Sequence, residues 1–294
     1  MPLLHFLLAL VVVFVWGTNF VVIKWGLGDF PPFLFAFLRF LFSALPWLLF
    51  IKRPPVAWRT LIMVGVLMGA GQFGLLYWAM QKDISPGLAS LVIQSQVFFT
   101  IGMAVMFTGE RIRPLQYGAL ALAVCGYAVV GWQGATDPST TVTLLGLSVV
   151  LAAALSWACA NMLVRTAGRV NMLAFVIWSC VFSAPPVLVV SLLTEGPDLI
   201  LQSLSAAGVS AWLAVLWQSL GNTLFGFGAW NWLLARHPTS VVLPLALLIP
   251  VFGLLASVMM LGEDMPGWKW LSTGLVMAGL ALNMWAARRR PAAR

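Results

Sequence analysis

The sequence contains very few charged residues. Only 8% of its 294 residues are Asp, Glu, Lys or Arg, whereas an ordinary soluble domain has about 25%. Hydrophobic residues make up 62% of the chain, and the mean hydropathy is +0.99. These values exclude a water-soluble globular fold. Because helices satisfy every backbone hydrogen bond within one segment, the sequence predicts an all-α membrane protein.

Residues that bind metals or catalyse reactions are equally scarce. The three cysteines, Cys125, Cys159 and Cys180, fall within apolar stretches without paired or metal-ligand spacing, which is typical of small packing residues. The two histidines, His5 and His237, lie at helix ends, and every acid lies in or beside a loop. We therefore expect no enzyme activity, no metal and no cofactor.

One glycine motif imitates a nucleotide-binding loop. Gly69, Gly71 and Gly74 match G-x-G-x-x-G, but that fingerprint requires a preceding strand, and these residues lie in an apolar helix. We predict that Gly65, Gly69 and Gly74 instead let a neighbouring helix approach closely.

Apolar runs long enough to cross a membrane predict ten helices. They are Leu4–Trp25, Pro32–Ile51, Leu61–Met80, Pro86–Phe107, Leu115–Gly131, Leu144–Val164, Met172–Leu193, Trp212–Leu234, Ser240–Leu261 and Trp270–Ala287. The longest connection, from Thr194 to Ala211, contains a segment from Asp198 that we interpret as a short interfacial helix.

The chain is an internal duplication. Tyr77 to Gly126 matches Trp230 to Gly279 at an offset of 153, with Gly-Glu pairs at 109–110 and 262–263. We predict repeats over residues 4–131 and 144–287, each with five helices. An odd number of crossings makes the second repeat enter from the opposite side, and inverted repeats are typical of transporters.

Charge distribution predicts the orientation. The side that holds both termini carries twelve bases and one acid, Glu110; the other carries three bases and seven acids. The twelve bases are Lys52, Arg53, Arg59, Arg111, Arg113, Arg165, Arg169, Arg236, Arg288, Arg289, Arg290 and Arg294. Because cytoplasmic loops collect Lys and Arg, both termini are predicted to be cytoplasmic. Nucleic-acid binding is not indicated, since this basic charge reports topology.

Neutral amides and large aromatics near the middles of several spans are the candidate binding residues. A buried amide needs a partner, so these groups face the bundle interior, where they serve either helix adhesion or a substrate site. Gln218 and Asn222 are four residues apart and share a face of an α-helix, whereas Gln94 and Gln96 diverge, so that at most one faces a cavity squarely. The candidates are Trp16, Asn19, Gln72, Tyr77, Trp78, Gln94, Gln96, Trp157, Asn161, Trp217, Gln218 and Asn222.

Two basic residues are candidates for gating or structural roles. Arg39 lies well inside a span, where a charge is costly and a functional role is the default. The preferred alternative is a structural clamp neutralised by helix-end carbonyls. Lys24 either gates the outer face or merely marks it.

Together these residues resemble a known family. Three features resemble EamA-type members of the drug/metabolite transporter superfamily: the segment Trp16-Gly-Thr-Asn-Phe-Val-Val-Ile-Lys24, Arg39 in the second span and the two Gly-Glu pairs. Within that family, the chain looks most similar to bacterial inner-membrane exporters of amino acids, aromatic ones included. The resemblance implies a cavity between the third, fourth, eighth and ninth spans, next to the first and sixth. The second copy departs from the motif at Ala160 and Ser179, which stand opposite Asn19 and Arg39.

The sequence therefore predicts an exporter of amino acids and related metabolites in the bacterial cytoplasmic (inner) membrane. No acid or histidine lies within a span to carry a proton, so we expect facilitated movement by alternating access. Two alternatives are multidrug or other metabolite efflux and a non-transporting membrane assembly subunit. The expected partners are the amino-acid substrate and the lipid bilayer, with no obligatory protein partner.

Overall fold

The computed structural model describes residues 1–108, 112–168 and 170–288. Regular structure in these ranges is helical, apart from one isolated antiparallel bridge between Ile84 and Val142. Glu110, Arg111, Arg169, Arg289, Arg290 and Arg294 lie outside the described residues, so one of the two Gly-Glu pairs and several bases used for the orientation have no structural account.

Eleven helices follow one another along the described chain, besides the single turn Thr239–Val242 that leads into the tenth. They are α1 (Leu3–Asp29), α2 (Pro32–Leu48), α3 (Trp58–Lys82), α4 (Pro86–Phe107), α5 (Pro114–Thr136), α6 (Leu144–Thr166), α7 (Met172–Thr194), α8 (Pro197–Ala206), α9 (Val209–Arg236), α10 (Leu243–Leu261) and α11 (Gly267–Arg288). The short helix predicted after Thr194 is confirmed as α8.

The protein is a multi-pass membrane protein. Among the described residues, eight helices are long and apolar enough to cross a membrane, and α8 with α9, bent by 104°, brings the number to nine. Helix α2 is apolar but has only 17 residues. Length and composition thus support eight or nine of the ten predicted spans.

Four spans are interrupted by other helix types. Residues Leu67–Gly74 of α3 and Trp217–Phe225 of α9 form π-helix, whereas Ile93–Ser95 of α4 and Leu243–Leu247 at the start of α10 form 3₁₀-helix. In α3, glycines make the π-helical segment easy to distort. In α9, the Thr223 hydroxyl donates to the carbonyl oxygen of Gln218, five residues earlier, at 2.8 Å. Such interruptions within helices often occur at functional sites.

The glycines of α3 allow the close approach that the sequence predicts. A Cβ atom on Gly65 would lie 2.6 Å from the carbonyl oxygen of Ser179, and one on Gly69 would lie 2.7 Å from that of Ser183, both on α7. Because the obstacles are backbone atoms, only glycine fits. These contacts confirm the packing interpretation for Gly65 and Gly69, whereas the atom nearest to a Cβ on Gly74 would be in the Phe33 ring, at 3.2 Å. The helix before the motif excludes the nucleotide-binding interpretation, which needs a strand there.

Contacts between helices follow a regular pattern. Helix α2 packs along α7 and α5 along α11, while α1 packs on α10 and α4 on α6. In the numbering of the predicted spans, these contacts pair the second with the seventh, the fifth with the tenth, the first with the ninth and the fourth with the sixth. The arrangement leaves an internal space between α3, α4, α9 and α10.

Candidate functional site

A cavity of about 970 Å³ occupies the middle of the bundle. Its deep end is formed by Trp16 of α1, Arg39 of α2 and Thr223 of α9. From there the cavity extends between the helices towards the base-rich side of the bundle. Residues at helix ends, among them the exposed Arg165, line its mouth. The cavity therefore opens towards the side that carries both termini.

The opposite end of the bundle is closed by a buried polar cluster. The Glu263 carboxylate, just after α10, accepts hydrogen bonds from the hydroxyls of Ser85 and Ser257, from the backbone N–H of Gly87 at 3.1 Å and from Lys269 Nζ at 2.9 Å. These bonds tie the start of α4 to the end of α10 and the start of α11.

Tight helix packing closes the same end below this cluster. A Cβ atom on Gly17 of α1 would lie 2.5 Å from Phe252 Cβ and 2.6 Å from the carbonyl oxygen of Ile249, both on α10. One on Gly253 would lie 2.5 Å from the hydroxyl of Ser90 on α4. Three helices thus touch with little space between them.

Arg39 is held by neutral oxygen atoms. Its Nε and Nη2 donate to Thr223 Oγ1 at 3.2 and 3.0 Å, and its Nη1 donates to Tyr77 OH at 3.0 Å and Gln218 Oε1 at 3.1 Å. The Phe73 ring centroid lies 3.6 Å from Arg39 Cζ, a cation–π contact. Only 1% of the residue is exposed.

This geometry corrects two expectations. The clamp around Arg39 consists of side-chain oxygens from α3 and α9, and helix-end carbonyls do not form it. Gln218 acts together with Thr223 and not with Asn222, because the π-helix of α9 aligns residues five apart where an α-helix aligns those four apart.

Gln94 and Gln96 both line the cavity, contrary to the expectation that at most one would do so squarely. The 3₁₀ turn at Ile93–Ser95 brings their directions from about 160° apart to about 120° apart. Gln96 Oε1 accepts a hydrogen bond from Asn161 Nδ2 at 3.1 Å, and Trp157 lies one turn before Asn161 on α6. The fourth and sixth predicted spans therefore share one polar wall.

Aromatic rings form the other wall. Trp16 lies 5.4 Å from Phe227 and 5.3 Å from Trp230, between ring centroids, and its Nε1 donates to the backbone oxygen of Asn222 at 3.1 Å. All three rings line the cavity. The Asn222 side chain does not.

The structure brings some candidates together and leaves others outside. Six of the fourteen line the cavity: Trp16, Arg39, Gln94, Gln96, Trp157 and Asn161. Tyr77 and Gln218 reach it through Arg39, whereas Asn19, Lys24, Gln72, Trp78, Trp217 and Asn222 do not line it. Lys24 Nζ instead donates to the carbonyls of Met80 and Gln81 at the end of α3, at 3.1 and 3.0 Å.

Sequence reasoning missed several polar residues of the cavity. Asn231 lines it near the mouth, and Gln116 Nε2 donates to Asn283 Oδ1 at 3.1 Å between α5 and α11. These amides lie near the ends of their predicted spans, so a criterion restricted to the middles of spans could not find them. Thr223 could not be singled out from the sequence, because hydroxyl groups in membrane helices commonly bond to their own backbone and need no other partner.

Comparison with known proteins identifies the family. The sequence signature of the EamA-like transporter family matches residues 3–132 and 144–285. The chain belongs to this family. This is the family that the sequence motifs resemble, and an internal cavity is expected for a transporter. Its members are transporters rather than enzymes.

Relatives in the family span nearly the whole chain. A protein of Salmonella typhimurium named "probable amino-acid metabolite efflux pump" is 40% identical over 291 residues, which cover 98% of this chain and 97% of the relative. A protein of Escherichia coli with the same name is 38% identical, covering 97% and 96%. A crystal structure with 21% identity superposes with a TM-score of 0.65, covering 98% and 99%, and shares the fold.

Proposed function

We propose that the protein exports amino acids and related small metabolites, aromatic amino acids among them, across the bacterial cytoplasmic membrane. The observation that carries the proposal is the cavity, whose walls combine aromatic rings with a few amides at mid-bundle, as ligand sites do. The names of the two bacterial relatives support the substrate class.

The proposed architecture is ten transmembrane helices in two inverted five-helix repeats, over residues 4–131 and 144–287, with α2 as the short tenth span. Two matched family segments support the repeats. Further support comes from the π-helices of the third and eighth predicted spans, Leu67–Gly74 and Trp217–Phe225, and from the reciprocal helix contacts. The excess of bases beside the termini supports a cytoplasmic position for both.

This orientation supports export by alternating access. The cavity opens to the base-rich side, so substrate enters from the cytoplasm. Release then requires the Glu263 cluster and the contact of Gly17 with α10 to separate while the cytoplasmic mouth closes. Transport is proposed to be facilitated and uncoupled from protons, because no Asp, Glu or His of the described residues lines the cavity.

Within this cavity we assign substrate contact first to the lining candidates Trp16, Gln94, Gln96, Trp157 and Asn161. Tyr77 and Gln218 are proposed to act by positioning Arg39. Asn19, Gln72, Trp78, Trp217 and Asn222 belong to a second group, which reaches substrate only after the helices rearrange.

The test is counterflow in vesicles reconstituted with the full chain. Vesicles that contain the protein and are loaded with an unlabelled amino acid should accumulate its labelled form from outside. Vesicles without the protein should not. L-Phenylalanine, L-leucine and L-serine cover aromatic, aliphatic and polar side chains. If none of them exchanges but tetraphenylphosphonium does, multidrug efflux replaces the proposal; if nothing exchanges, an assembly subunit does. The fixed charge of Arg39 in the cavity disfavours a cationic substrate.

A further inference from the structure

The hydrogen bonds of Arg39 leave one of its donors free. A guanidinium group has five N–H bonds, and the four contacts to Thr223, Tyr77 and Gln218 use one from Nε, two from Nη1 and one from Nη2. One N–H of Nη2 has no acceptor among the described residues. Arg39 lines the cavity with 1% of its surface exposed, and this is the one donor that its contacts with the described residues leave for a molecule inside.

The charge of Arg39 is also unbalanced. All of its hydrogen-bond partners are neutral, and no carboxylate of the described residues forms an ion pair with it. Arginine cannot lose its proton. A buried charge without a counter-ion is costly, so an anion that enters the cavity is stabilised at this position and a cation is repelled.

The hydrogen bonds hold the guanidinium in one orientation. Thr223 accepts from both Nε and Nη2, and Tyr77 OH in turn donates to Gln218 Oε1 at 2.9 Å, so that the three partners form a connected network. Residues from α2, α3 and α9 are therefore fixed around one planar group. A preorganised guanidinium suits the planar carboxylate group.

The surroundings fit the rest of an amino acid. Phe227 and Trp230 lie one and two turns beyond Thr223 on α9, and both line the cavity. Since one helical turn advances about 5.4 Å, a carboxylate at Arg39 places the substrate side chain against these rings and Trp16. The amides of Gln94 and Gln96 face the same space from α4.

We propose that Arg39 binds the carboxylate of the transported amino acid through its free Nη2 donor, with Thr223, Tyr77 and Gln218 as positioning residues. This inference rests on the proposed function. It makes the carboxylate a requirement of the substrate, whereas the side chain is recognised only loosely by the aromatic wall.

The experiment compares each amino acid with its own primary amide, which lacks the carboxylate. For whichever of L-phenylalanine, L-leucine or L-serine gives the largest counterflow in wild-type vesicles, the amide should inhibit at least about 10-fold more weakly than the free acid, as expected for loss of one hydrogen bond to a charged group. Arg39→Lys should retain the preference with weaker binding. Arg39→Met should abolish it, and the exposed Arg59→Met, away from the cavity, should behave as wild type.

A second measurement keeps the test decisive if Arg39→Met does not fold. 3-Phenylpropionate, which offers only a carboxylate and a ring, should raise the unfolding temperature of the purified wild-type protein. Phenethylamine should not. Arg39→Lys should need more 3-phenylpropionate for the same rise in unfolding temperature. Equal inhibition by acid and amide, or equal stabilisation by the two probes, overturns the role of Arg39 while leaving transport intact. Absence of amino-acid counterflow in wild type overturns the proposed function itself.

Discussion

Lys269 Nζ lies 2.9 Å from Glu263 Oε1, and the two side chains are only 3% and 5% exposed. Lys269 also donates to Thr141 Oγ1 and to the backbone oxygen of Asp264, so both charges are fully hydrogen-bonded. Burial of an ion pair stabilises a fold little by itself, but removal of one partner leaves an uncompensated charge. This pair therefore stabilises the closed end of the bundle, opposite the mouth of the cavity.

Glu263→Gln should destabilise the closed state. The substitution leaves the Lys269 ammonium buried without its counter-ion, at a cost of about 3–5 kcal/mol. Thermal unfolding of the purified protein in detergent measures the change. Asp264→Asn is the matched control, because Asp264 is exposed and only its backbone oxygen contacts Lys269. Equal unfolding temperatures for the two variants would show that the ion pair does not stabilise the closed end of the bundle.

A pH gradient alone should not drive accumulation of a neutral amino acid. Burial raises the pKa of Glu263, but hydrogen bonds from Ser257, Ser85 and Lys269, together with the charge of Lys269, outweigh it and hold the pKa below its ordinary 4.5. The carboxylate therefore stays ionised at neutral pH, and its stabilising contacts are lost only as the pH falls through that lowered pKa.

The measurement for this prediction uses reconstituted vesicles with equal substrate on both sides and an imposed pH difference. Uptake should match that of vesicles without a gradient. Accumulation that a protonophore abolishes would establish proton coupling, and Glu110, outside the described residues, would then be the first acid to replace.

Gly17→Ala should separate α1 from α10. The new Cβ atom meets the backbone of Ile249 and the Cβ atom of Phe252, neither of which can rotate away. Overpacking of this kind costs about 1–3 kcal/mol. Both the unfolding temperature and the rate of counterflow should fall. Gly274→Ala on α11, which meets nothing within 4 Å, should leave both unchanged; a similar loss in the two variants would remove the packing argument.

The topology can be tested with fusions to a reporter that is active only in the cytoplasm. Fusions after Arg53 and after Arg294 should be active, and a fusion after Asp137 should be inactive. The expectation follows from the twelve bases on one side against three on the other. Activity at Asp137 would contradict the ten-span arrangement.

Most span positions could be predicted because hydropathy reports burial in lipid directly. The sixth predicted span, from Leu144 to Val164, agrees with helix α6, which ends two residues later at Thr166. Glycine spacing likewise predicted the contacts of Gly65 and Gly69, since close backbone approach excludes any side chain.

The partners of the charged residues could not be predicted. From the sequence, an acid at the end of a span is expected to be solvated at the membrane interface. The Glu263 side chain is instead buried and accepts a hydrogen bond from the N–H group of Gly87. Glu195 accepts hydrogen bonds from the N–H groups of Phe33 and Leu34 at the start of α2. These contacts join segments more than 160 residues apart. Likewise, no α-helical periodicity aligns Gln218 with Thr223, because a π-turn shifts every later side chain and leaves no mark in the hydropathy pattern.

The contacts of Arg39 also constrain the order in which the protein matures. Thr223 follows Arg39 by 184 residues, and Gln218 follows it by 179. During synthesis α2 must therefore enter the bilayer with its arginine only partly satisfied, at an insertion cost of about 2.5–3.5 kcal/mol for a charge at the centre of a helix. A chain that ends before α9 lacks two of the three acceptors of Arg39, Thr223 and Gln218. The hydrogen bonds of Arg39 are thus complete only once α9 has joined the bundle.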